Sequence, residues 1–121
     1  MKKIISKSFY FEAAHKLNNT VEKENKNLHG HSYFVEIALI DVNSNIEKTG
    51  YILDFSLFNK KIENLRSILD HSYLNEIIGL ENPTLENIGI FIYKKLKEIE
   101  LNIYKIIVKR KSCGEAFYLE I

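Results

Sequence analysis

Residues 28–42 read LHGHSYFVEIALIDV, and this run decides the fold. From Ser32 to Val42 large apolar side chains occupy every second position: Tyr33, Val35, Ile37 and Leu39. A period of two is expected of a β-strand, whose successive side chains point to opposite faces of the sheet. The pattern predicts a strand here, entered directly from a His-x-His pair.

Further strands and loops are predicted on both sides of this run. Residues 3–13 form a β-prone run without a helical period, which predicts a first strand. Residues 18–26 are polar and Asn-rich and predict a surface loop, and residues 43–50, NSNIEKTG, predict a turn. Residues 104–110 and 115–121 predict a last pair of strands around the turn KSCG.

Two helices are predicted between the second and third strands. The first follows YILDF and repeats apolar residues at helical spacing, at Phe58, Ile62, Leu65 and Leu69. The second starts at Pro83-Thr84, with Thr84 as its N-cap, and ends near Leu101. Its apolar face comprises Ile88, Phe91, Ile92, Leu96 and Ile99.

The resulting order, ββααββ, predicts an α+β fold in which a four-stranded antiparallel sheet carries both helices on one face. Four strands leave open edges, and one sheet face stays uncovered. We therefore expect copies of the chain to associate.

Composition restricts the class of protein. The chain has 121 residues, of which 45% are hydrophobic and 27% charged, so we expect one globular domain over 1–121. A formal charge of +1 indicates neither a nucleic acid nor a membrane as partner. The sequence contains no run of about 20 apolar residues, which is the length needed to span a bilayer.

Cysteine usage and the first residues indicate the compartment. Cys113 is the lone cysteine, so it forms no internal disulfide; only Lys111 is a nearby base, which favours a structural role. The start MKKIISKSFYFEAAH lacks the apolar core of a signal peptide. We therefore expect the protein to be located in the reducing cytoplasm.

His29 and His31 are two residues apart on a strand, so their imidazoles can converge on one ion from one side. His15 follows the first predicted strand and reaches the same place if the two strands pair. Three neutral imidazoles around Zn²⁺ leave a fourth position open, as in catalytic zinc sites. Alternatively, His-x-His is a chance pattern of surface residues.

Two further pairs of polar residues, and the single residue Asp54, can be either functional or structural. Asp70 and His71 form either a base oriented by a carboxylate or a polar helix end. Asp54 fits a cap of the first helix. Thr84 and Glu86 fit either a plain cap or, through the carboxylate, a ligand contact near a helix N-terminus.

Taken together, FEAAHKL, LHGHSY, ILDF, LDHSYLN and NPTLEN, in this order, resemble the 6-pyruvoyl-tetrahydropterin synthase and 6-carboxytetrahydropterin synthase family. The resemblance covers nearly the whole chain. It implies the tunnelling fold, or T-fold, and assembly into a homo-oligomer, commonly a hexamer made of two trimers, with active sites between subunits. Such enzymes serve queuosine or folate biosynthesis.

The resemblance also implies roles for particular residues. Asp70 and His71 match the Asp and His of the family's Cys-Asp-His proton relay, and Thr84 and Glu86 match positions that line the pterin pocket. The implied substrate is 7,8-dihydroneopterin triphosphate, which loses triphosphate or, in the carboxy-forming branch, acetaldehyde. The implied ligands of Zn²⁺ are His15, His29 and His31.

The catalytic Cys of the family is absent. It stands four residues before the first His of His-x-His, where this chain has Asn25, and an amide is no general base near neutral pH. A folate branch uses Glu instead, usually three residues before that His, where this chain has Lys26. Glu24 and Glu22 lie in the same loop, and Glu24 is our candidate base.

The family's pterin-gripping Glu is also absent. Counted back from Tyr118, its position falls on Arg110, which cannot accept the hydrogen bonds of a pterin edge and instead suits an anionic group. Glu115 lies past the turn and could substitute only if the strand pairing differs from that of the family.

Three hypotheses follow. The first is a zinc-dependent lyase acting on 7,8-dihydroneopterin triphosphate or a related compound. The second is folate-branch cleavage to 6-hydroxymethyl-dihydropterin with Glu24 as base. The third is a paralogue without catalysis that binds zinc and a small ligand.

Overall fold

The sheet is built around the two strands that carry the histidines. The computed structural model describes residues 1–18 and 26–121. β1 (Ile4–His15) pairs antiparallel with β2 (His29–Ile40) over its full length, so that His15 lies opposite His29. β4 (Ile103–Arg110) pairs antiparallel with β2, and β5 (Glu115–Glu120) antiparallel with β4. The four predicted strands are confirmed.

A fifth strand, β3 (Ser72–Tyr73), corrects the prediction of a four-stranded sheet. It pairs parallel with β1 at Ala13 and Ala14, which gives the strand order β3-β1-β2-β4-β5. Two residues carry no readable period, so the sequence pattern could not reveal this strand.

Two long helices, α2 (Phe55–Leu69) and α3 (Leu85–Glu98), pack on one face of the sheet. All four residues of the predicted stripe on α2 are buried, and four of the five on α3 are. Ile99 is the exception at 40% exposure, and the predicted end near Leu101 is wrong. Glu100 has a left-handed backbone (φ 60°), which α-helices of L-residues do not continue through.

A short helix, α1 (Asn45–Thr49), replaces part of the predicted turn over 43–50, so the described residues hold three α-helices rather than two. The Asp41 carboxylate accepts the main-chain N–H groups of Asn45 and Ile46 and so caps the first turn. Gly50, with φ 86°, ends the helix.

The two faces of the sheet differ. On β1 and β2 the odd-numbered side chains face the helices, and Phe11, Tyr33, Val35 and Ile37 are buried there. The even-numbered positions face away, and this second face keeps Ile4, Tyr10 and Tyr118 about half exposed. The histidines at positions 15, 29 and 31 therefore share the face that carries the core.

Candidate metal centre

His15, His29 and His31 meet where β1 and β2 end. His15 lies opposite His29, and His31 lies opposite Ala13, so both strands bring imidazoles to the same face. The candidate ligand atoms of the three rings lie within 4.8 Å of one another. His15 is fully buried. The sequence prediction that these rings come together is confirmed, and the cluster could hold a metal ion.

The hydrogen bonds of two rings determine which nitrogens are free. His15 Nδ1 lies 3.0 Å from the Pro83 carbonyl oxygen, and His29 Nδ1 lies 2.8 Å from that of Asn27. A carbonyl oxygen only accepts, so in each neutral ring Nδ1 carries the proton and Nε2 does not. Both Nε2 atoms therefore present lone pairs to the centre of the cluster.

These lone pairs have no donor among the described residues. The Nε2 atoms of His15 and His29 are 2.9 Å apart, yet neither has a proton to give the other. His31 Nε2 is buried and has no hydrogen-bond partner in the described part of the chain. Two converging nitrogen lone pairs beside a third ring nitrogen without a partner suit a divalent cation of the kind that imidazole prefers.

Burial keeps the rings of His15 and His31 neutral, as metal ligation requires. It lowers the pKa of His15 to about 4, assisted by the charges of His29, His31 and Arg110 and opposed by the hydrogen bond to Pro83. It likewise lowers the pKa of His31 to about 4, with Arg110 and then His29 adding to the effect. Both rings are thus neutral near pH 7.

Sequence reasoning missed two groups that hold His15. Tyr33 is fully buried, and its hydroxyl oxygen lies 3.2 Å from His15 Nδ1, close enough to share that proton with the Pro83 carbonyl. Burial raises the pKa of Tyr33, so it remains a neutral phenol. Its place two residues after His31, on the same face, was the available signal.

Asp70 and His71 lie beside β1. Asp70 Oδ1 accepts the main-chain N–H of Glu12 at 2.9 Å, and Oδ2 lies 3.5 Å from both Arg66 Nη2 and His71 Nε2. The hydrogen bond from Glu12 is the main cause that lowers the pKa of Asp70. Asp70 directly follows the last residue of α2, and its carboxylate also faces the imidazole, so the geometry is compatible with both interpretations of this pair.

His71 has an unusual backbone and an exposed side chain. Its φ of 57° is left-handed, and its main-chain N–H donates to the Glu12 carbonyl at 2.6 Å. The side chain is 82% exposed. It borders an open depression that is also lined by Glu12, Ala14, Gly30, His31 and Ser32.

Arg110 and Glu115 form an ion pair across the last hairpin. They are directly paired in the β4–β5 register, and Arg110 Nη2 lies 2.8 Å from Glu115 Oε1. Paired residues of an antiparallel ladder project to the same face. Glu115 thus lies beside Arg110. Its carboxylate is therefore close to the position at which the family has its pterin-gripping Glu.

The remaining predicted residues take structural positions or lie elsewhere. Thr84 Oγ1 accepts the N–H of Asn87 at 3.1 Å, and Asp54 Oδ1 accepts the N–H groups of Ser56 and Leu57, so both caps are confirmed. Glu86 is exposed in the first turn of α3, and Cys113 is exposed in a turn. Glu22, Glu24 and Asn25 lie outside the described residues.

Within residues 1–18 and 26–121, no helix has both the length and the apolar character needed to cross a bilayer.

Known proteins resemble this chain in sequence and in structure. The model of the 6-pyruvoyl tetrahydropterin synthase family matches residues 4–120. A 6-carboxy-5,6,7,8-tetrahydropterin synthase of Synechocystis is 42% identical over 98 residues, which are 78% of this chain and 75% of that protein. A dihydroneopterin monophosphate aldolase of Pyrococcus furiosus is 35% identical over 88 residues, 73% and 69% of the two chains.

A solved structure extends the likeness to the fold. The 6-pyruvoyl tetrahydropterin synthase of Caenorhabditis elegans superposes with a TM-score of 0.79 at 22% identity, and the match covers all of this chain and 96% of the other. At that identity the superposition supports the shared T-fold alone.

Proposed function

This chain belongs to the 6-pyruvoyl tetrahydropterin synthase family, and from that premise we propose that it is a zinc-dependent lyase acting on 7,8-dihydroneopterin triphosphate or a related pterin. The convergence of three imidazole nitrogens without a donor among the described residues carries this proposal. His15, His29 and His31 would hold the zinc ion. When bound, it would polarise a substrate oxygen and make the neighbouring C–H bond more acidic.

His71 is the proposed proton carrier, with Asp70 as its positioning residue. The main-chain N–H of Glu12 holds one oxygen of Asp70, which leaves the other to orient the imidazole at 3.5 Å. A ring with little burial can reach a substrate, or a neighbouring subunit, without rearrangement of the core. An imidazole can accept and return a proton near neutral pH.

Glu24 is the proposed base that replaces the absent Cys. Its support is its position in the sequence shortly before His29, together with the amide at Asn25. A carboxylate can accept a proton from carbon when a nearby cation stabilises the charge that develops. Glu24 lies outside the described residues.

Thr84, Glu86 and Glu115 are the proposed contacts to the pterin. Thr84 follows Pro83, whose carbonyl holds His15, so the start of α3 is tied to the three histidines. Glu115 projects beside Arg110 at the other side of the cluster and offers carboxylate oxygens. Pterin rings present N–H groups that such oxygens accept from.

A second candidate function is carbon–carbon cleavage in the folate branch, giving 6-hydroxymethyl-dihydropterin. The likeness to a dihydroneopterin monophosphate aldolase favours it. The two reactions share proton removal at the substrate side chain and differ in the bond that breaks. Either would take place in the cytoplasm.

We also propose a homo-oligomer, a hexamer of two trimers, with sites between subunits. The second face of the sheet leaves Tyr10 and Tyr118 exposed, and β5 has no partner strand on its outer side among the described residues. Association of copies would cover both features.

One assay separates these candidates. Zinc-loaded protein is incubated with dihydroneopterin triphosphate or monophosphate, products are resolved by chromatography, and metal is quantified in the same sample. The control is His31→Ala, which removes one ligand. We expect product from the native protein alone, and its identity distinguishes the two lyase reactions. Stoichiometric zinc without any product would reject both and favour the binding paralogue.

A further inference from the structure

Arg110 is a largely buried cation, and one of its N–H donors has no acceptor among the described residues. Its side chain is 15% exposed, and within the described residues the Nη2 group has one partner, Glu115. The Nε atom is buried and has no acceptor in the described part of the chain. A guanidinium N–H buried without an acceptor is unfavourable, so a ligand is the natural source of the missing oxygen.

The strand register places this guanidinium at the three histidines. Lys109 pairs with Phe34, and one further step along both strands brings Arg110 opposite Tyr33. The Tyr33 hydroxyl lies 3.2 Å from His15 Nδ1. Burial is the main cause that lowers the pKa of His15 and His31, and the charge of Arg110 adds to it for both rings, which agrees with this proximity.

The charges around this centre are unbalanced. A divalent metal held by three neutral imidazoles would keep its two positive charges, and Arg110 adds a third. Among residues 1–18 and 26–121, Glu115 is the one acid paired with Arg110, and its side chain is half exposed, so it offsets only part of this charge. A site of this charge attracts an anion with oxygen acceptors.

We infer that Arg110 binds an anionic oxygen group, a carboxylate or a phosphate, of the ligand that occupies the three-histidine centre. This rests on the proposed function in taking that centre as the ligand site. The guanidinium Nε–H donates to one oxygen of the group, while Nη2 remains with Glu115. Arg110 is thus a specificity-determining residue that selects an anionic substrate end.

The test measures anion binding rather than turnover. Protein loaded with Co²⁺ in place of zinc is titrated with inorganic phosphate and, separately, with acetate, while the visible absorption of the metal reports ligand binding. The variants are Arg110→Gln and Arg110→Lys. The matched control is Lys109→Gln, which removes one positive charge one residue away, on the opposite face of the sheet.

We expect Arg110→Gln to raise the Kd of at least one anion on the order of 10-fold, since charged hydrogen bonds are strong. Lys109→Gln should leave it nearly unchanged. The Kd for Arg110→Lys should lie between these two values, because lysine keeps the charge but lacks the planar N–H donors of the guanidinium. An effect on phosphate alone assigns a phosphate, and one on acetate alone a carboxylate.

Equal anion affinity in the native protein and in Arg110→Gln, at equal Co²⁺ content and unchanged circular dichroism, would overturn the inference. So would an equal loss in Lys109→Gln, because a general field would then explain the effect. Pterin turnover takes no part in this experiment. Failure of the lyase proposal therefore leaves it intact, whereas failure to bind Co²⁺ refutes both.

Discussion

The Nε2 atoms of His15 and His29 face each other at 2.9 Å while the Nδ1 atom of each ring lies against a main-chain carbonyl oxygen. Such a pair cannot share a proton when both rings are neutral. The contact is therefore repulsive without a cation, and a metal ion would convert it into two bonds.

Zinc should stabilise the native protein, and it should not stabilise a variant that lacks one of the three ligands. At a free concentration 100-fold above Kd, binding raises the free energy of unfolding by about 2.7 kcal/mol. Thermal unfolding with and without zinc measures this for the native protein, His29→Ala and His71→Asn. His71 is the fourth histidine, so His71→Asn should keep the full effect. The metal assignment fails if His29→Ala keeps it too.

His71→Asn should abolish proton transfer without disturbing the fold. Asn tolerates the left-handed backbone of this position, where φ is 57°. We expect kcat to fall on the order of 10²-fold or more, with zinc content and thermal stability close to native. Steady-state kinetics with metal analysis provides the test, and undiminished kcat would reject His71 as the proton carrier.

Asp70→Asn should weaken the protein near neutral pH, by an amount that shrinks in acid. The pKa of Asp70 lies below its ordinary value of 3.8, so its charge stabilises the folded state above that pH. As the pH falls below 3.8 toward the folded-state pKa, this contribution is lost. Urea unfolding of both proteins at pH 7 and pH 3 gives the two differences. A difference that does not change with pH would contradict the prediction.

Glu24→Gln should reduce turnover on the order of 10²-fold, since an amide cannot act as a base. Glu22→Gln is the matched control, because it makes the same change two residues earlier in the chain. Product formation by zinc-loaded protein measures both. Equal rates for the two variants would remove Glu24 from the mechanism.

Thr84→Ala should cost about 1 kcal/mol of stability through loss of the cap on α3. Thr84→Ser keeps the hydroxyl and should stay near native. Because Pro83 adjoins this cap and holds His15, Thr84→Ala should also weaken zinc binding. Denaturant unfolding and zinc titration measure the two effects, and unaltered zinc affinity would show that the cap and the cluster are independent.

Local periodicity was enough to predict most of the fold. The alternation along β2 and the stripe of Phe58, Ile62, Leu65 and Leu69 on α2 depend on residues a few positions apart. Such patterns hold wherever one side of an element is buried. The short elements α1 and β3 were not predicted. α1 depends on the cap from Asp41, and β3 depends on the hydrogen bond from His71 to β1.

The sequence by itself determined the four longer strands, the two long helices and the three histidines that would meet if β1 and β2 paired. Only the tertiary structure decided which ring nitrogens are free, since the Pro83 carbonyl reaches His15 from 68 residues away. It also decided that Glu115 pairs with Arg110 and that Glu12 holds Asp70. Contacts of this kind depend on how distant elements pack, and no local spacing encodes that packing.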